Sequence, residues 1–226
     1  MTPRQFVHAL QIVDSLFPVG AFAYSDGLET AVAHKHVEDA ESLATWLDHY
    51  VDAVFVPCDG LALLKSWRAS RRRDWVTLQS IDEELTALKP AREVRGSSSS
   101  IGKRILETYG SLVRDEGDLL EYLECLPRCN AAIAYGVVLS HVGLDARESL
   151  LAFGYGRLAG TVSAALRLIP LGQQQAQTLL TAMLDHLPAA IERVLEKEEE
   201  PLRSFSPLLD VQQMNHRYVY SRLFRS

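Results

Sequence analysis

Few residues in this 226-residue chain are typed and spaced for chemistry. Gly96 to Arg104 (GSSSSIGKR) comes nearest to a phosphate-binding loop. Such a loop needs four residues between its glycines, so that backbone amides wrap the phosphates, and a Ser or Thr after the lysine to reach magnesium. Here five residues intervene and Arg104 stands where the hydroxyl belongs. The run also sits inside a helical pattern and reads as a helix face kept small for close packing. Cys125 and Cys129 are spaced to share a helix face, but Pro127 breaks that register and no second pair completes a tetrahedral metal site. His34 and His36 form an H-x-H that does not put both rings on one helical face. With His216 they are the weak metal candidates, and solvated or capping histidines are the alternative. No G-x-S-x-G elbow and no H-E-x-x-H occurs, so no catalytic residue is assigned.

Two segments are unusual in another way. Leu16 to Glu29 (LFPVGAFAYSDGLE) is broken by Pro18 and Gly20 like a loop, yet is strongly apolar. Loop backbone is normally hydrated, so an apolar loop must pack on its own domain or on a partner. Tyr220 to Ser226 (YSRLFRS) combines Tyr, Phe, Leu and two arginines, among which Tyr and Arg are favoured in binding hot spots. Such a tail is either docked on its own domain or ordered by a partner. Both features favour an interaction protein over an enzyme.

The elements that must carry these segments read as helices almost throughout. Thr2-Pro3 is an N-cap followed by proline in the first turn, and Phe6, Leu10 and Val13 repeat as one apolar face. Asp26 and Glu29 fit a capping box opening a short helix to about Lys35. Further helices are expected from Asp39 to a boundary at Pro57, then through Leu61 and Trp67 to Arg71-Arg72-Arg73, over Trp75–Leu88, Pro90–Tyr109 and Asp118–Leu126, and over Asn130–His141 with Gly143 as C-cap. Asp145 and Glu148 make a second capping box for a long central helix ending near Leu168. Gln173–Leu187 and Pro188–Glu199 close the series, and from Pro201 onward little period is visible. The reading is an all-α, single-domain helical bundle of about ten helices: a domain over residues 1–200 and a C-terminal partner-binding tail over 201–226.

The formal charge of −6, from 23 basic and 29 acidic residues, argues against a general nucleic-acid binder. Three cysteines, an odd and small number, argue against a disulfide framework and point to reduced thiols in a cytoplasmic setting. The N-terminus shows no signal peptide. Leu150 to Ile169 is the most membrane-like window, but Arg157 and Arg167 would be costly in a bilayer, and it reads as a buried bundle helix.

Four motifs in order give the chain a resemblance to the UreF family of urease accessory proteins. LFPVGAFAYSDGLE is similar to the family signature L-P-x-G-x-[FY]-x-x-S-x-G-[LF]-E, with Phe17 in the leucine position and matches at Pro18, Gly20, Phe22, Ser25, Gly27, Leu28 and Glu29. REVRGSSSSIGKRIL resembles a family helix in which Ser and Gly precede paired basic residues. SAALRLIPLGQ, with Arg167 before the I-P-L-G-Q turn, and the closing SRLFRS complete the set.

The resemblance implies an all-helical homodimer without enzymatic activity. It would bridge the accessory protein UreD (UreH in some systems) and the GTPase UreG for nickel insertion into apo-urease. No cofactor would be stably bound, and nickel would be handled by the assembled complex. Carried over by position, the tail becomes ordered when UreD binds, Arg222 lies near UreG, and Arg167 matches a basic position implicated in coupling to the GTPase. Tyr24 and Glu29 flank the signature loop as contact residues, and Tyr220, Leu223 and Phe224 belong to the tail surface. The alternatives are a structural ion pair for Arg167 and a capping carboxylate for Glu29. Two positions depart from the family: His216-Arg217 stands where His-Glu is common, and Asn130 replaces a histidine. Rival functions are a strict GTPase-activating protein using Arg222 or Arg167 as a finger, and direct nickel carriage by His34, His36 or His216.

Overall fold

A computed structural model of the protein describes residues 2–113 and 116–225. Met1, Arg114, Asp115 and Ser226, the last residue of the tail motif, lie outside the described residues. Every regular element described is helical. In chain order these are α1 (Pro3–Val13), α2 (Leu28–Ala33), α3 (Ala40–Tyr50), a π segment (Val51–Asp59), α4 (Gly60–Arg72), α5 (Trp75–Ala87), α6 (Arg92–Val113), α7 (Glu116–Cys125), α8 (Ala131–Val142), α9 (Ala146–Ala165), α10 (Gln173–Glu196) and α11 (Pro207–Asn215). Single 3₁₀ turns cover Ala21–Ala23 and His216–Tyr218. The all-α reading therefore holds, and no described helix is long and apolar enough to cross a membrane.

Local chemistry explains most boundaries. The capping boxes at Thr2/Gln5 and Asp145/Glu148 are formed, each satisfying two orphan amides at a helix start. Gly143 ends α8 at φ 88, a conformation that suits glycine. Four expectations fail for physical reasons. Pro57 does not end a helix: the chain stays helical through residues 40–72, with the proline inside the π segment. Pro188 likewise lies within α10. It is exposed, and the stripe Met183, Leu187, Ala190, Ile191 and Val194 buries on both sides of it. That burial offsets the roughly 3 kcal/mol cost of an interior proline. In α1 the buried edge is Ala9 and Ile12, against α8 and α9, while Phe6 and Leu10 face solvent. The apolar period marked the outer face because both faces are apolar. Finally, the region after Pro201 contains α11, whose period is hidden because Leu208, Val211 and Met214 lie outward while Leu209, Gln212 and His216 face the bundle.

The apolar helix α8 sits at the centre, packed against α4, α6 and α9. Gly136 permits a close approach to α4, since a Cβ there would overlap Ser66 and the Leu63 carbonyl. The turn before α8 is pinned by one buried carboxylate. Asp82 accepts the backbone N–H groups of Arg128 (3.0 Å), Cys129 (2.8 Å) and Asn130 (2.8 Å). The Asn130 amide adds bonds to Asp82 Oδ1 (2.7 Å) and Thr86 Oγ1 (2.8 Å). This gives the Asn130 departure a structural role. Residues 201–225 join the same core through Leu202, Leu209 and Phe224.

Two glycines in α6 should respond oppositely to alanine. A Cβ on Gly102 would overlap the Cys129 carbonyl, which the Asp82 bonds hold in place. Gly102→Ala should therefore cost about 2 kcal/mol or more by overpacking. A Cβ on Gly96 would meet nothing within 4 Å. Gly96→Ala should stabilise by roughly 0.5–1 kcal/mol through helix propensity. Urea unfolding midpoints measure both.

Candidate partner-binding site

The signature loop, α2, α9 and the C-terminal segment meet around Glu29. Gly27, at φ 91, is the N-cap of α2 and supplies no side-chain cap. The expected Asp26/Glu29 capping box is absent, because the Glu29 carboxylate turns toward the tail instead. It is buried, 5 % exposed, and gathers three donors. Leu223 N–H donates to Oε1 (2.6 Å), Phe224 N–H to Oε2 (3.3 Å) and His216 Nε2 to Oε2 (2.7 Å). A buried carboxylate is tolerated only when met in this way. Arg225 N–H extends the stitching by donating to the Ala23 carbonyl at 2.8 Å.

Arg167 clasps the same junction from beyond the end of α9. Its guanidinium donates to the Phe22 carbonyl (3.1 Å) and lies over the Phe224 ring, 4.2 Å from the centroid. This is cation–π geometry, worth about 0.5–1 kcal/mol at an exposed site. The ion pair considered for Arg167 is thus replaced by a carbonyl and a ring. Phe224 is buried, whereas its neighbours turn outward: Tyr220 and Arg222 are exposed, and Leu223 is 68 % exposed. The loop divides similarly, with Phe17 and Val19 buried and Leu16 and Phe22 exposed. Tyr24 is half-buried against the core.

Behind the loop a chain of polar groups crosses the interior. Arg157 of α9 pairs with Asp26 and donates from Nε to the Tyr50 hydroxyl at 3.0 Å. Asp59, in the π segment, pairs with Lys89 at 2.8 Å. Burial opposes the Asp59 charge, but Lys89, Arg157 and the Tyr50 hydroxyl outweigh it and hold the carboxyl below its ordinary value. Burial, reinforced by Asp59, pushes the Cys58 thiol up to about 12, which leaves it protonated and unreactive at neutral pH. These groups border a cavity of about 470 Å³ that reaches from Phe22 and Arg167 to Lys89 and Asp210.

The structure thus brings together Glu29, Arg167, Leu223 and Phe224, with Tyr24 on the adjoining loop and Tyr220 and Arg222 projecting from the tail. It does not bring the metal candidates together. His34 Nδ1 contacts Gln212 (2.9 Å), His36 is a ring neighbour of His34 at 6.3 Å, and His216 is taken by Glu29. Among the described residues no group of three His, Cys, Asp or Glu side chains could hold a metal ion. Cys58, Cys125 and Cys129 are free thiols. Arg217 lies over the Tyr218 ring on the surface. Sequence reasoning missed His216 as the partner of Glu29 and Arg157 as the partner of Asp26. Separations of 187 and 131 residues leave no local signal for either pair.

The chain is similar to known proteins along most of its length. The family model described as UreF matches residues 37–184. Curated relatives named "Urease accessory protein UreF" align along nearly the whole chain. One from Arthrobacter sp. (strain FB24) is 33 % identical over 96 % of this chain and 95 % of its own length. One from Rhodopseudomonas palustris (strain BisB5) is 34 % identical over 93 % and 86 %. One from Nostoc sp. (strain PCC 7120 / SAG 25.82 / UTEX 2576) is 29 % identical over 100 % and 98 %.

The Asp59–Lys89 pair predicts a pH signature. Asp59 is depressed in the folded chain, so its contribution is present above the unfolded carboxylate range and is lost as pH falls through the folded value. Lys89→Met leaves the buried carboxylate with Arg157 and the Tyr50 hydroxyl but without its ion pair, and should cost about 1–3 kcal/mol at neutral pH. The penalty should shrink toward acid pH, because protonated Asp59 needs no cation. Unfolding free energies of both proteins between neutral pH and the carboxylate range measure the convergence.

Proposed function

The chain belongs to the UreF family of urease accessory proteins, and on that footing we propose that it is a non-enzymatic adaptor in urease maturation. It binds a UreD/UreH-type accessory protein and recruits a UreG-type GTPase, so that nickel reaches apo-urease in a GTP-dependent way. It works as a homodimer in the cytoplasm, and residues 201–226 form its partner-facing segment. Nickel is cargo of the assembled complex and is not stably held by this chain alone.

The observation that carries this reading is the junction at Glu29. Four family motifs fold so that three of them, the signature loop, the I-P-L-G-Q approach at Arg167 and the tail, touch one another. The side chains turned outward there, Leu16, Phe22, Tyr220, Arg222 and Leu223, have no work inside the bundle. Aromatic and arginine side chains of this kind supply most of the energy in protein interfaces. Coupling to the GTPase is thermodynamic: an adaptor that binds one nucleotide state of UreG better shifts its equilibrium by that difference in affinity.

A strict GTPase-activating role with Arg222 as the finger is the second reading, favoured by the outward projection of that side chain. Arg167 is a poorer finger, since it is engaged with Phe22 and Phe224.

Pull-down of a UreG-type GTPase with and without UreD and nucleotide tests the adaptor. Deleting residues 220–226 should abolish partner capture and leave the helical circular dichroism intact; capture by the truncated chain would refute the tail's role. Single-turnover GTP hydrolysis with Arg222→Ala separates the two readings. An unchanged rate with intact binding removes the finger, whereas an arginine finger predicts a loss of about 10³-fold or more. Calorimetric titration with nickel should show no stoichiometric site on the isolated chain, and a tight one would restore the histidine carriers.

A further inference from the structure

Resting on the reading that the signature loop meets partners, we propose that Arg157 of α9 is that loop's positioning residue. Its guanidinium holds the point where the loop enters α2, and with it the direction in which the loop shows its outer side chains. The contacts that do so all lie before residue 201.

The loop ends in an unusual turn. Asp26 and Gly27 both have left-handed backbone, at φ 50 and φ 91. Glycine takes this conformation freely, whereas an aspartate does so at a cost and keeps it only where its surroundings insist. Here the surroundings are Arg157. Its Nη2 pairs with the Asp26 carboxylate, and its Nε donates to the Tyr50 hydroxyl at 3.0 Å. The guanidinium also lies over the Tyr50 ring, 5.4 Å from the centroid. A planar fork can face groups on two elements at once, which an ammonium point charge cannot. Tyr50 is buried in the last turn of α3, so the Asp26 carboxylate is referred to a fixed point of the core. Arg167, farther along the chain, holds the loop through the Phe22 carbonyl. The exposed Phe22 side chain is thus presented from backbone gripped at its own carbonyl and again at the entry to α2. A partly buried ion pair is a poor way to stabilise a bundle, since well-packed apolar side chains serve as well or better. It is useful where irregular backbone must keep one course.

Hydrogen exchange followed by NMR on the full chain reads this turn through the Leu28 amide, which donates to the Ser25 carbonyl across it. In Arg157→Gln that amide should exchange about tenfold faster or more, as expected for losing bonds to a charged group, with the core amides of α8 unchanged. Arg157→Lys keeps the charge without the fork and should recover only part of the protection. Asp26→Asn removes the same pair from the loop's side and should expose the same amide even if Arg157→Gln fails to fold. Capture of the UreG-type GTPase in the presence of the UreD-type protein adds a readout that a merely structural role would not move. Each single variant should weaken capture about tenfold, the cost of reordering one turn on binding. The double variant should weaken it no further than the worse single, because both act through one pair. Wild-type protection of Leu28 in both single variants would overturn the proposal, as would capture losses that multiply in the double variant. If the wild type captures no partner, the adaptor reading falls and the exchange result alone decides Arg157. Faster exchange with undiminished capture would keep Arg157 as the holder of the turn and sink the loop as partner surface.

Discussion

A carboxylate withdrawn from water has to be met by donors, and this constraint organises the molecule. Asp82 is met by three successive amides before α8, which sets the entry of the central helix. Asp59 is met by Lys89 and ties the π segment to the turn between α5 and α6. Glu29 is met by His216 and by two amides of the tail, which closes the chain's end onto its beginning. In each case at least one donor comes from a segment without regular structure, or from its border. The helices need no such help because their amides are satisfied internally; the loops and the tail do. The carboxylates are where irregular backbone is made to hold a single course.

This division separates packing from recognition. The bundle is held by apolar burial around α8 and by close approaches such as Gly136 against α4. The surface around Glu29 is held by a few directional bonds, with large apolar side chains left over in solvent. Phe22, Tyr220 and Leu223 are among those left outside, while Phe17, Val19 and Phe224 from the same segments are buried. The polar chain from Asp26 through Arg157 and Tyr50 backs the signature loop from within. It couples the loop's position to the core without exposing a charge to the apolar interior.

Helix type and most boundaries were legible because they are local. Capping boxes at Thr2 and Asp145, the glycine after α8 and apolar periodicity all act within a few residues. The prolines misled because local rules treat Pro57 and Pro188 as stops, whereas burial along a whole stripe decides. The outer face of α1 and the existence of α11 misled for a related reason: periodicity reports that apolar residues share a face, not what that face meets. At the site, the identities of Glu29, Arg167 and Phe224 could be singled out from motifs. Their joining could not, since Glu29 and Phe224 lie 195 residues apart. His216 was weighed as a metal ligand because a lone histidine carries no mark of the carboxylate it will bind.

The stitching of Arg225 to Ala23 has a consequence for how the molecule comes into being. A ribosome delivers the helices first and the closing residues last, so the bundle can be complete while the junction is still half built. A chain lacking residues 223–225 would keep its helices and lose the three amide bonds that tie this segment to Glu29 and Ala23. Formation of the helices and closure of this junction are therefore separable steps.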